Sequence, residues 1–349
     1  MSAGCSAQLW TGQWKLDPQG SVADRSALGN HVLSLERQRF MSAAEVQCEP
    51  AWPFLLSPKA TVRGRVTDAS ELHASQRLRG LRGKLWLMIG TSVDHIVIRD
   101  LCGYFNVEHH VADAAATSLH PSPGLHFDYC RLPSPIDLTI VYVGYKGLTA
   151  LEVQANASLQ HRRFGELQHL LTAALGANHT PDFLSLGGIE WDFKQWGSQH
   201  RQPSSDGDWG AIRQSLLAQL RAARRFWPRL TARVLRTQYR TSYRWYKGWV
   251  DVDGAEYAKY NELMRGLATE GCGGVQLLDI ARTMNCSHVG VGQGGAFASA
   301  GGGDASYGAC GKETGWTTDG LHPANWAIRE YFGLALNVLA DFGEACDGV

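Results

Sequence analysis

The sequence predicts a three-layer α/β/α sandwich around a central parallel sheet of about five strands, preceded by an irregular N-terminal lobe. Two observations carry this expectation. Five short runs rich in apolar and β-branched residues lie at 85–89, 138–143, 183–186, 232–237 and 275–280. Most are continuously apolar, as expected of strands covered on both faces. Segments with helical spacing alternate with the runs, which is the order of a parallel sheet with right-handed crossovers.

Each helical segment has its place in that order. "SVDHIVIRDLCGYF" follows the first strand, and "FGELQHLLTAALGAN" precedes the third. "WGAIRQSLLAQLRAARRFW" leads to the fourth strand and "GAEYAKYNELMRGLATEG" to the fifth. "PANWAIREYFGLALNVLADF" closes the chain. The main domain is therefore placed at 81–349, with its site expected at the carboxyl ends of the strands. Residues 1–80 differ: they are rich in turns and aromatics and show little periodicity, so they are expected to pack on the sandwich as a lobe. A Gly-dense stretch at 288–312 predicts a long loop bordering the last motif.

Composition narrows the function. The chain has 349 residues, 44% of them hydrophobic and 19% charged, and its formal net charge is zero. Such a balance excludes the basic stripe of a nucleic-acid binder. No apolar run approaches the ~20 residues of a membrane span, and the start "MSAGCSAQLW" shows no signal-peptide core. The eight cysteines form no C-x-x-C pair, so zinc-finger or thioredoxin chemistry is not expected, and neither a metal nor a cofactor is assigned. Their even number and scattered placement fit disulfides, with Cys5–Cys48 one candidate. Three N-x-S/T sequons, at Asn156, Asn178 and Asn285, agree with a glycoprotein of the secretory pathway lumen (Golgi) or the extracellular space.

Two short motifs carry chemistry. "LWLMIGTS" ends the first strand in Gly90-Thr91-Ser92. A serine there either caps the following helix or acts as a nucleophile at the mouth of the strand. "GWTTDGLHPANW" places Asp319 and His322 three apart at the opening of the last helix. A carboxylate at that spacing can hold one imidazole nitrogen while the other faces a serine.

The order Ser92…Asp319…His322 is that of SGNH (GDSL-type) hydrolases, and four blocks resemble the PC-esterase group of that superfamily, which includes the trichome birefringence-like proteins. The blocks are "LRGKLWLMIGTSVDHIVIRDLC", "CSAQLWTGQWKLDP", "VLRTQYRTSYRW" with the region up to the fifth strand, and "TDGLHPANWAIREYF". The resemblance implies acyl transfer. Ser92 attacks an ester carbonyl, His322 accepts and returns the proton, and Asp319 orients the imidazole. It further implies an oxyanion and substrate region made from Gly90, Thr91, Gly188, Trp191, His95 and a second-block glycine, Gly144 or Gly147, with Arg240 either facing the substrate or structural. Several positions depart from the family pattern: its Asp after Gly is Thr91 here, and its Arg three residues after the serine is His95. The third block reads "LSLGGIEWDFKQWG". A negative Glu190 beside an oxyanion would be repulsive, so Glu190 is expected to point away, leaving Trp191 or a glycine N–H near the site.

The function expected on this resemblance is an esterase or O-acyltransferase acting on acylated, O-acetylated carbohydrate, with the acyl donor unknown. The competing expectation is a weakened or inactive SGNH-fold protein that binds or scaffolds carbohydrate. Labelling of Ser92 by a fluorophosphonate separates the two, because a binding module has no need to activate its serine.

Overall fold

The computed structural model describes residues 78–105, 107–113, 126–134, 136–144, 157–177, 179–193, 206–239, 254–270 and 275–283. It also describes the short strands at 13–15 and 39–41, together with Pro323, Ile328, Tyr331, Phe332, Ala335, Leu336, Val338 and Leu339. Asp319, His322, Arg240, the Gly-rich loop, the three sequons and the Cys5–Cys48 candidate lie outside the described residues. So does the N-terminal lobe, except for one antiparallel pair, β1 (Gln13–Lys15) with β2 (Arg39–Met41), and the start of a 3₁₀ turn at Leu78–Leu81.

Five parallel strands appear where the apolar runs predict them. They are β3 (Leu85–Gly90), β6 (Thr139–Gly144), β7 (Phe183–Leu186), β8 (Ala232–Arg236) and β9 (Val275–Leu278). Four helices follow the expected order, α1 (Ser92–Tyr104), α2 (Ala157–Leu175), α3 (Asp206–Phe226) and α4 (Gly254–Glu270), and an unexpected single turn, α5 (Ile280–Thr283), begins where the run at 275–280 was expected to continue as strand.

The sheet has seven strands in the order β4-β5-β6-β3-β7-β8-β9. The two additional strands, β4 (His110–Asp113) and β5 (His126–Arg131), extend the β6 edge antiparallel. They were hidden because each is short, carries charged residues and forms no apolar run ("HVAD", "HFDYCR"). Among the parallel strands, chain order gives 2-1-3-4-5, the doubly wound pattern. The chain runs from β3 to β6 on one side, then crosses to β7 on the other. In such sheets the crevice opens at the carboxyl ends of the strands flanking this reversal. Here those strands are β3 and β7.

The alternation along β3 builds the two cores. Trp86 and Met88 face a cluster with Val93, Val97 and Leu101 of α1 and with Ile328, Phe332 and Leu336 of the last segment. Leu85, Leu87 and Ile89 face Phe164 and Leu171 of α2, Leu216 and Leu220 of α3, and Tyr260 and Met264 of α4. All six residues of β3 are buried, which explains why the strand reads as unbroken apolar sequence. In the last segment, the described helical residues at 328, 331, 332, 335, 336 and 339 recur at the three- and four-residue spacing of one buried face.

Candidate active site

The turn after β3 gives Ser92 its local setting. The N-cap of α1 is Thr91, in extended conformation (φ −103°, ψ −172°), and Ser92 is the first helical residue. The backbone N–H groups of Asp94 and His95 donate to the Thr91 carbonyl, at 3.0 and 3.2 Å. Asp94 reaches back to accept from the Thr91 N–H at 2.9 Å, the acidic half of a capping box. The cap belongs to Thr91, and the reading of Ser92 as the capping residue is corrected.

A buried polar network fixes this turn. Arg236, the last residue of β8, forms an ion pair with Asp94 and donates to the Ile89 carbonyl at 3.2 Å and the Tyr331 hydroxyl at 3.3 Å. Tyr142 of β6 donates to the Thr91 carbonyl at 2.8 Å. The Asp94 carboxylate comes so close to the strand end that a Cβ at position 90 would overlap it, so Gly90 is required by close approach. Gly144 lies in register with Gly90 on the neighbouring strand.

Glu190 corrects a second expectation. It does not point away: Thr91 Oγ1 donates to Glu190 Oε2 at 3.2 Å. Burial pushes the Glu190 carboxyl up to about 7, against the opposing pull of backbone N–H groups and the Thr91 hydroxyl, with nearby Asp192 adding to the rise. Below neutral pH Glu190 is therefore a neutral acid and carries no charge to repel an oxyanion. An aspartate at position 91, as in the resembled family, would press a second carboxyl against it. Gly188, which follows β7 at φ +92°, packs directly on Thr91: a Cβ there would lie 2.5 Å from the threonine methyl. Trp191 stands on the helical turn 190–193, half-buried.

The structure thus brings Gly90, Thr91, Ser92, Gly144 and Gly188 to the carboxyl ends of β6, β3 and β7, at the topological switch point. His95 lies one turn further along α1. Its ring stacks on Tyr142 (centroids 5.4 Å apart), and its Nε2 lies 2.5 Å from Asp128 Oδ2 of β5. His109 Nε2 is 3.6 Å from the same oxygen, and burial lowers its pKa while Asp128 opposes the fall. Cys102 of α1 and Cys130 of β5 form a disulfide.

Sequence reasoning missed Asp94, Arg236, Asp128 and His109. Two of them left a signal. Asp94 stands three residues after Thr91, the spacing of a capping box, and Arg236 closes an otherwise largely apolar run.

No protein-family model matches the chain, and no curated protein matches it significantly. Among solved structures it is similar to a Bacteroides fragilis chain described as a "putative acylhydrolase". Identity is 11% and the TM-score 0.41, over 79% of this chain and 97% of that one. A likeness so remote carries no argument about function. Among the described residues, no helix is long and apolar enough to cross a membrane.

Proposed function

We propose that this chain is a serine-dependent esterase or O-acyltransferase acting on acylated, O-acetylated carbohydrate through an acyl-Ser92 intermediate. The observation that carries the reading is the division of labour at the β3–α1 turn. Thr91 holds the N-cap position of α1, and Ser92 is the first helical residue, at the carboxyl end of β3 beside the switch point. The sequence order Ser92…Asp319…His322, and with it membership of the PC-esterase group, is the further support from motif resemblance.

In this mechanism Ser92 Oγ attacks the ester carbonyl carbon, and its proton passes to His322. The tetrahedral oxyanion collects on the N-terminal end of α1, where backbone N–H groups and the helix dipole favour negative charge. Collapse expels the alcohol, which takes the proton back from His322, while Asp319 holds the imidazole. Water or an acceptor hydroxyl then attacks the acyl-serine, giving hydrolysis or transfer. Arg240 and Trp191 are assigned to substrate contact. The Cys102–Cys130 disulfide supports an oxidising compartment, the secretory lumen or the extracellular space.

Fluorophosphonate labelling of the full chain, read by peptide mass mapping, tests the reading. A single adduct on Ser92, abolished by His322→Ala, is expected. A folded protein that takes no adduct at Ser92 overturns it in favour of a carbohydrate-binding relative of the enzymes. Acetylated polysaccharides supplied with and without an acceptor then separate hydrolysis from transfer.

A further inference from the structure

We propose that His95, His109 and Asp128 form a site for a divalent first-row transition-metal ion of the zinc class. The side chains converge from three places: α1, the segment entering β4, and β5. One ligand atom from each lies within 4.8 Å of the other two. Bonds of about 2.0–2.2 Å place the ligand atoms of a tetrahedral zinc roughly 3–4 Å apart. The 3.6 Å separation of His109 Nε2 from Asp128 Oδ2 already fits. The 2.5 Å separation of His95 Nε2 from that oxygen must open by about an ångström or less.

The state of Asp128 is the independent observation. It is wholly buried, and neither carboxylate oxygen accepts a hydrogen bond among the described residues. The Nε2 of His109 is likewise buried without a hydrogen-bond partner among them, its nearest acid being beyond hydrogen-bond distance. His95 Nε2 comes close to Oδ2, yet the two are not aligned as donor and acceptor. A carboxylate removed from water requires hydrogen bonds or a countercharge. A cation between the three groups supplies that charge, and two imidazoles with one carboxylate are donors that zinc accepts.

The frame around the cluster is pre-organised. Cys102 follows His95 by two helical turns and so shares its stripe of α1, while Cys130 follows Asp128 by two residues and shares its face of β5. The disulfide between them clamps the His95 stripe against the Asp128 face. The Tyr142 stack holds the His95 ring. The two histidine side chains are 24% and 21% exposed, so ions can enter and solvent can complete the coordination. The proposal does not rest on the acyl-serine reading, although Tyr142 touches both places, stacking on His95 and donating to the Thr91 carbonyl.

Calorimetric titration of chelator-treated full-length protein with zinc, and with cobalt(II) followed by visible ligand-field absorption, tests the site. One ion per chain is expected, with a rise in Tm. His109→Ala should weaken binding at least about tenfold, since loss of a mere outer-shell partner already costs that much. Asp128→Asn should do the same, and because it removes a buried charge it decides the matter if His109→Ala fails to fold. Folded wild-type protein that binds neither ion overturns the proposal, as does binding unchanged in both variants, which would place the ion elsewhere.

Discussion

Asp94 and Asp128 are both buried acids packed around α1, and their surroundings could hardly differ more. Asp94 accepts from the Thr91 backbone and from the Arg236 guanidinium, a permanently charged fork that also ties down Ile89 and Tyr331. Asp128 has only two imidazoles near it and accepts no hydrogen bond among the described residues. One carboxylate is consumed by architecture, holding the turn that presents Ser92. The other keeps its lone pairs, the state expected of a ligand. Burial alone therefore does not distinguish a structural acid from a functional one, whereas its hydrogen-bond inventory does.

Removing one partner from each pair should break the symmetry between them. Arg236→Ala strands the Asp94 charge and frees the Tyr331 hydroxyl, so urea unfolding should show a loss of about 3–5 kcal/mol. Activity should fall as well, because the turn under Ser92 loosens. A loss below about 1 kcal/mol would mean that the network is not what holds the turn.

Glu190 gives the next effect. Its folded-state pKa of about 7 lies above the ordinary value of 4.5, so the folded protein keeps a proton that the unfolded chain gives up. Stability is therefore full below about 4.5 and falls as pH rises through about 7, by about 3 kcal/mol in all. Urea unfolding across this range should show the decline in the wild type, and Glu190→Gln should abolish its share. A pH profile identical in the two proteins would contradict the protonated, Thr91-bonded form.

Asp128→Asn should have the smallest effect. Without metal it replaces a buried acid that accepts no hydrogen bond among the described residues by a neutral amide beside the two imidazoles, and should change stability by no more than about 1 kcal/mol. A loss as large as that of Arg236→Ala would erase the contrast between the two acids.

The sequence was legible where one physical signal dominated. Unbroken apolar runs located all five parallel strands, and helical spacing located the helices between them, because both faces of the sheet are covered. The antiparallel strands β4 and β5 were not legible, since "HVAD" and "HFDYCR" are short, carry charged residues and contain no apolar run. At the candidate site, Gly90, Thr91 and Ser92 stand out from local turn chemistry, and Gly188 only from the family resemblance. The long-range partners were not: Arg236 lies 142 residues from Asp94, and Glu190 lies 99 from Thr91. Charge pairing at such distances follows from strand order, which a single sequence does not display. Glu190 was misjudged for a related reason. The sequence shows only a carboxylate, whereas burial raises its pKa to about 7.

Ser92→Ala tests the central claim most directly. Turnover of an activated acetyl ester and the melting temperature should be measured on the same preparation. If Ser92 is the nucleophile, turnover per folded molecule falls by about 10³-fold or more. The melting temperature should move by less than the loss of a side-chain cap would cost, about 0.5–2 kcal/mol, because Thr91 and not Ser92 holds the N-cap position. Unchanged turnover in the variant, or a folded wild type that turns over no acetyl ester at all, would contradict the account.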